Sequence, residues 1–562
     1  MHTLSPNNTP CLDGLIGHWT FQENTDNQSA LPLSVVNHGV TYDECEEAPG
    51  LFAAQFNGIG NYLEVTGHPG LNFDKNDFSI SLWIETDENT DIIGDLLSKY
   101  DSQNRRGWSL SAVTVSGTTT TSQSNYRNLH FGIDNARQDA KWTYCGRPGN
   151  ARLIYGMATC EDNLFVGTFE KETDQQGHLW RYLGQQEWED LGSPPDGSNT
   201  VTSVVSYQEN LYCGSARYYP TGSRLGPFLN KKPGGHVYRV TPDGQWIDCG
   251  NPGTLGATPE PEELSGYEAG ETGLADDASA LTVFQGELYA ISFRRRDVFK
   301  YLGGREWQSL GLDSRVMALA VYQDQLYALA NGGPLYRYDG ERHWTNCGTP
   351  AQSTQTYAAV IYQGKLLVGT WPDCAVVSYE GENKWHNYGT VGYEKEVMAM
   401  SLYNSKMYFG TLPMANAWRF DDGSYTFVGN VDSDQEHYLK RLWTMAVFQG
   451  KLYAGTLPSG HVMSFEAGKM ATHDKALAAG WHHITAVREG EFLKLYLDGE
   501  LVAQSSSFNA EDFDVSNDEP LKIGFGAHTY FKGKMSDLRI YNRAISATEV
   551  LQIKDTAFAN AV

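Results

Sequence analysis

Read for apolar and polar positions, the middle of the chain repeats itself. A wholly apolar run such as VTSVVSY or VMALAVY leads, through a short polar step, into an alternating segment such as NLYCG or KLYAG. A second alternating segment follows, such as HLWRY, HVYRV, PLYRY or NAWRF. Alternation with period two is the pattern of a half-buried strand, and a short unbroken apolar run suits a strand buried on both faces. Seven such cores occur, at Asn163-Leu164-Phe165, Asn210-Leu211-Tyr212, Glu287-Leu288-Tyr289, Gln325-Leu326-Tyr327, Lys365-Leu366-Leu367, Lys406-Met407-Tyr408 and Lys451-Leu452-Tyr453. Most are about 40 to 50 residues apart, the period of β-propeller blades.

A fourth strand in each repeat carries Trp, two residues, a small core residue and Gly. It begins at Trp142, Trp188, Trp246, Trp307, Trp344 and Trp385, with a degraded copy at Tyr425. The first copy precedes any three-strand set, and the last set, ending near Phe465, has none after it. The segment from Trp142 to Gly146 is therefore predicted to pair beside that last set and close a ring, which removes exposed sheet edges. The expected fold is all-β: a seven-bladed β-propeller over 139–470, inserted between the two parts, 1–138 and 471–562, of one sandwich.

The flanks alternate in the same way. Trp481 to Val487 is predicted to pair with Lys494 to Leu497 through the turn at Arg488–Glu491, and the one helix lies within 546–555. Trp19, Trp83 and Trp481 sit in alternating strands and read as core. In order, the motifs FNG…NYLEV, FSISLWI, WHHITAV, LYLDGELV and MSDLRIYNRAIS resemble a laminin-G-like, concanavalin-A-type jelly-roll sandwich. The resemblance covers about 190 residues in two pieces. It implies sugar-chain binding and, as in some members, a Ca²⁺ held by Asp, Asn and backbone oxygens. Asn61, Asp101, Asp134 and Asp537 are the oxygen ligands it points to. Asp and Asn in turns also bond their own backbone, and that reading stays open beside it.

Net charge is -26. Nucleic acid is excluded as a partner by the want of a basic surface for phosphate, and a spanned membrane by the want of any long apolar run. Of the eight cysteines, Cys145, Cys249 and Cys347 take a repeat position that Leu or Val fills elsewhere, so they read as buried hydrophobes. Cys11 and Cys45 are the one pair considered for a disulfide. The N-terminal sequence shows neither the charged nor the apolar region of a signal peptide. Export is then expected only if such a segment has been removed.

Against this acidic background, cations and phenols gather in the loops of one propeller face. The loop between second and third strands of repeat two carries Arg217, Tyr218, Tyr219 and Arg224, and that of repeat three carries Arg294, Arg295 and Arg296. Repeat five adds Trp371. Loops entering the first strands bring Arg315, Tyr357, Tyr393, Lys395, His437, Tyr438 and Arg441. Guanidinium groups grip carboxylate or sulfate through paired hydrogen bonds, so an anionic polysaccharide or oligosaccharide is the expected partner; a salt-bridged rim is the plainer alternative. His178, His236 and His461 share one repeat position in neighbouring repeats and are candidates for a divalent-metal site or a general base, or for caps of the third strand. The insertion over 251–277, rich in Gly, Pro and Glu, reads as a lid.

These residue types fit a polysaccharide lyase acting on a uronic-acid glycan. Arg neutralises the carboxylate, His or Tyr removes the adjacent proton, and Tyr or His protonates the leaving oxygen. The ring is similar, at the level of fold, to seven-bladed ulvan- and oligogalacturonate-type lyases. A glycoside hydrolase, which needs two carboxyl groups across the bond, a non-catalytic glycan-binding protein and a protein adaptor are the alternatives.

Overall fold

The structure, a computed structural model, describes residues 11–45, 50–115, 123–137, 141–171, 176–218, 223, 225, 229–230, 232–252, 277–350 and 352–559. Four-stranded antiparallel meanders follow one another between Thr143 and Phe465. Five of them are separate sheets. The first two meanders are joined into one eight-stranded sheet, because Phe169, ending one second strand, pairs with Thr200, which starts the next first strand. The expected equal, separate blades thus appear as five blades and one double sheet. The first strands, Leu153–Cys160, Thr200–Tyr207, Ala280–Phe284, Val316–Tyr322, Gln355–Tyr362, Glu396–Tyr403 and Arg441–Phe448, contact one another in that order, and the last returns to the first. Thr143–Tyr144 completes the final sheet by pairing with Val462–Phe465, and Trp142 stacks on Phe465 at 5.1 Å.

In four copies the Trp motif fastens its repeat to the one before it, whereas the Trp142 and Trp385 indoles find no hydrogen-bond partner among the described residues. The indole N–H groups of Trp188, Trp246, Trp307 and Trp344 donate to the carbonyls of Cys145, Leu191, Cys249 and Leu310 at 2.9, 2.9, 2.8 and 3.0 Å. Each acceptor is the core residue of the preceding motif. In the degraded copy a phenol does the work, with Tyr425 Oη donating to the Gly389 carbonyl at 2.9 Å. Gly146 shows why the motif ends in glycine: its φ is +101°, and a Cβ there would meet Trp188 Nε1 at 2.8 Å. All eight cysteines are thiols. Cys145, Cys249 and Cys347 are buried as expected. The Cys11–Cys45 bridge does not form, since Cys11 Sγ donates to Glu549 Oε1 at 3.1 Å and Cys45 packs beside Ala53 and Trp481.

The two chain ends interleave in a two-sheet sandwich. One sheet runs Thr41–Glu44, Phe52–Asn57, Lys532–Tyr541, Phe78–Thr86, Gly480–Glu489, Phe492–Leu497, Glu500–Gln504. The other runs Val35–His38, Tyr62–Val65, Leu521–Ile523, Gly94–Asp101, Arg106–Val115, Asn125–Asn135, Lys469–His473. Trp19 lies in the shared core with Phe56, Phe78, Trp108 and Phe131. Trp83 and Trp481 do not: both are half-buried, Trp83 on the side of its strand away from buried Leu82 and Ile84.

The sandwich covers one end of the ring. Two-residue turns with positive φ join first to second strands there, as expected of tight antiparallel hairpins. The turn amides of Gln285, Gln363, Gly364 and Gln449 donate to Asp91 Oδ2, the Ala527 and His528 carbonyls and Asp474 Oδ2. At the same end the side chains of Gln123 and Asn125 each satisfy both backbone groups of a first-strand residue. Gln123 meets Val283 at 2.7 and 2.7 Å, and Asn125 meets Val447 at 2.7 and 2.9 Å. The first strands expose their free edge to the channel, and these two amides take the place of a neighbouring strand. Among the described residues nothing of the sandwich covers the opposite end of the ring.

Candidate functional site: the open mouth of the ring

Six first strands carry a bulge near their start at the open end. In five of them a single residue is skipped in the ladder: Tyr155, Met317, Tyr357, Met398 and Trp443. A bulge leaves its extra residue unpaired and re-aims the side chain. All five line one cavity of about 320 Å³, at the small end of the range for small-molecule sites, about 300–1,000 Å³. Repeats two and three add Arg217, Tyr218, Asp277 and Arg294, and the starts of two first strands add Glu396 and Arg441. Every repeat contributes to the wall.

The wall is aromatic on one side. Tyr155 packs edge-on against Tyr218 at 5.5 Å and lies 5.2 Å from Trp443, while Tyr218 stands 4.9 Å from Phe169. The Arg441 guanidinium sits 5.8 Å over the Trp443 ring and donates to Ser223 Oγ at 2.9 Å, which is also 2.7 Å from Tyr218 Oη. Asp277 accepts from Ser292 Oγ at 3.0 Å and from the amides of Phe293 and Arg294 at 2.9 and 3.2 Å. Burial holds the Tyr155 and Tyr357 phenols well above their ordinary range, so both remain donors at neutral pH. Burial also pushes the Glu396 carboxyl up to about 8, against the pull of the Arg441 charge. The cavity therefore combines three guanidinium groups, a carboxylate, a neutral acid and flat apolar faces.

Of the residues singled out in the sequence, Arg217, Tyr218, Arg294, Tyr357 and Arg441 meet in this cavity. Arg315 lies alongside, 5.5 Å over the ring of the lining residue Phe293, and Trp371 packs in the aromatic cluster behind Tyr155 and Trp443. The others stand elsewhere. Arg295 is buried in its own turn, where its amide donates to Ser292 Oγ. Arg296, at φ +59°, turns outward to Asp313 at 3.2 Å. Tyr393, Lys395 and Tyr438 project into solvent, and His437 closes a local turn with Asp434 at 3.1 Å. Tyr219, Arg224 and most of the insertion expected as a lid fall outside the described residues.

The three equivalent histidines do not converge. His178 bonds Asp190 at 2.9 Å and His236 bonds Asp248 at 3.0 Å, each within its own repeat, while His461 packs edge-on against Tyr144 at 5.0 Å. Their amides donate to Thr168, Ser215 and Thr456 hydroxyls in matching fashion, which is the capping alternative. The four oxygen ligands suggested for calcium are also apart. Asn61 and Asp101 accept amides of their own turns, Asp134 pairs with Lys406, and Asp537 pairs with His18 and Arg539. Among the described residues no three His, Cys, Asp or Glu side chains are grouped to hold a metal ion.

Glu396 was not singled out in the sequence, and Asp277 entered only as the last residue of the expected lid. A signal was there for Glu396. It stands two residues before a bulged position, as Arg315 and Arg441 do before theirs.

Comparison with known proteins adds a sandwich likeness. Residues 418–551 are similar to the Laminin_G_3 family, described as the Concanavalin A-like lectin/glucanases superfamily. That stretch begins within the sixth meander and runs through the C-terminal sandwich strands. No curated protein matches the chain. Among solved structures, similar chains include a catalytically inactive virginiamycin B lyase from Staphylococcus aureus with quinupristin, at 8% identity over 58% of this chain and 99% of that one, TM-score 0.43. The WD40 β-propeller domain of Doa1 matches at 10% over 58% and 97%, TM-score 0.39. The extracellular domain of a two-component system protein from B. thetaiotaomicron matches at 11% over 65% and 46%, TM-score 0.40. Likeness this distant says nothing about what the chain binds.

Proposed function

We propose that the ring is a seven-bladed propeller, its double sheet counting as two blades, and that its mouth binds and cleaves an acidic, uronic-acid-containing glycan. The observation that carries this reading is the meeting of Arg217, Arg294 and Arg441, from three repeats of an acidic chain, around one aromatic-walled cavity. Aromatic faces suit the apolar faces of sugar rings, and guanidinium groups suit carboxylates. The lectin and glucanase likeness of residues 418–551 supports a sugar ligand for the molecule as a whole.

In the elimination reading the arginines neutralise the uronate carboxylate and so ease loss of the neighbouring C5 proton. The Asp277 carboxylate, fixed by three hydrogen bonds, takes that proton in place of the histidines, which lie outside the cavity. Hydrolysis is the second reading, favoured by the presence of two carboxyl groups, Asp277 and Glu396, in one cavity.

Incubation with oligogalacturonate, alginate and hyaluronan oligosaccharides tests both. Elimination yields the ultraviolet absorbance of a conjugated unsaturated uronate, whereas hydrolysis releases reducing ends without it. Arg441→Ala should weaken oligosaccharide binding roughly 10- to 100-fold, the worth of a charged hydrogen bond, with the thermal midpoint little changed. Binding without either product would leave a glycan-binding protein and overturn the enzyme reading.

A further inference from the structure

Glu396 is the buried acid of the mouth. It opens the first strand of repeat six, at the position that Arg441 holds in repeat seven. Its side chain lines the cavity and the residue is 4% exposed. Its Oε1 has no hydrogen-bond partner among the described residues. Leaving a buried polar atom unmatched costs about 1–3 kcal/mol, and the residue that carries this one lines the cavity. Charged and titratable neighbours are Arg441, Tyr357 and Cys374. Burial raises the thiol and the phenol as well, so Arg441 supplies the one fixed charge of the three. With its carboxyl raised to about 8, Glu396 is a neutral acid at pH 7. The phenols nearby are far weaker acids, and the repeated histidines stand outside.

We propose that Glu396 is the proton donor of the mouth, its carboxyl O–H bonding the glycosidic oxygen of a bound glycan and protonating it as the carbon–oxygen bond breaks. The inference rests on reading the mouth as a glycan-cleaving site and is common to both chemistries. In elimination the C5 proton passes to the Asp277 carboxylate, and the electron pair of the C5–H bond becomes the C4=C5 double bond. The pair of the C4–O bond stays on oxygen, which takes the Glu396 proton. In hydrolysis the same donation accompanies attack of water at the anomeric carbon. Either way Glu396 ends as a carboxylate beside the Arg441 guanidinium, and solvent returns its proton.

The test compares wild type with Glu396→Gln and Glu396→Asp on the three uronate oligosaccharides, reading turnover, calorimetric affinity and the infrared stretch of a protonated carboxyl. Loss of a general acid lowers turnover about 10²- to 10⁴-fold. Glu396→Gln should show that loss with affinity within about two-fold of wild type, since the amide keeps the shape and a donor. It should also lose one protonated-carboxyl band present in wild type at neutral pH. Glu396→Asp, still an acid, should retain more turnover than Glu396→Gln. Wild-type turnover in Glu396→Gln, or no band lost, would overturn the donor role while leaving the mouth reading intact. Failure of wild type to bind or cleave any of the three would overturn the mouth reading, and the donor with it.

Discussion

The two ends of the ring treat buried polar groups in opposite ways. At the sandwich end the groups that fasten the join are met within the chain: Gln123 and Asn125 pair with both backbone groups of Val283 and Val447, and Lys406 pairs with Asp134. At the mouth, Glu396 is as deeply buried and lines the cavity, and its Oε1 has no partner among the described residues. A closed set of partners stabilises a join, while an open set waits for something from outside. On the proposed reading the sandwich end is the structural end, and the mouth the functional one.

The strongest way to break that comparison is to damage the structural end and watch the mouth. The side chains of Lys406 and Asp134 are 5% and 3% exposed. Removing one partner strands a charge where water cannot reach it, at a cost of about 3–5 kcal/mol. Lys406→Ala should therefore lower the denaturant midpoint sharply, while oligosaccharide affinity of the protein that remains folded stays at the wild-type value. An equal loss of affinity would mean that the two ends are coupled.

Not every buried group at the sandwich end is met among the described residues, and Asp474, like His130 and His528, is one that is not. Its Oδ2 accepts from the Gln449 amide at 2.8 Å and from Thr472 Oγ1 at 3.1 Å, but Oδ1 has no partner among the described residues. Burial pushes this carboxyl up to about 8 from an ordinary 3.8. The folded state thus holds a proton that the unfolded chain gives up. The associated stability is complete below about pH 4 and drains away as pH climbs towards 8. Asp474→Asn, neutral throughout, should flatten the fall of thermal midpoint between pH 5 and pH 8. A parallel fall in both proteins would remove Asp474 from the account.

How far the sequence could be read follows from what repeats and what does not. The Trp motif and the alternating cores state the same local need in each copy, so strand order and ring closure at Thr143–Tyr144 were legible. So were Arg217, Tyr218, Arg294, Tyr357 and Arg441, which break the repeat at loops facing one opening. Glu396 was not, because it closes the charged run Glu394-Lys395-Glu396 and looks like any strand terminus until neighbouring strands are laid side by side. Arg295 and Arg296 were misjudged for a geometric reason. They sit in a tight turn, where φ of +59° at Arg296 sends successive side chains to different sides, so that only Arg294 reaches the cavity.

The histidines carry the reverse lesson, and the smallest effect tests it. Recurrence at one repeat position means that each copy does the same local job, and for His178 and His236 that job is a hydrogen bond to an acid of the fourth strand, Asp190 or Asp248. Both pairs are partly solvent-exposed, where such contacts are worth about 0–1 kcal/mol. His236→Ala should therefore change stability by no more than about 1 kcal/mol and leave uronate turnover at the wild-type rate. Arg296→Ala should do the same, since its partner Asp313 is itself exposed. A hundred-fold loss of turnover in His236→Ala would put the reacting atoms among the third strands, away from the cavity, and would undo the division between the two ends at its functional half.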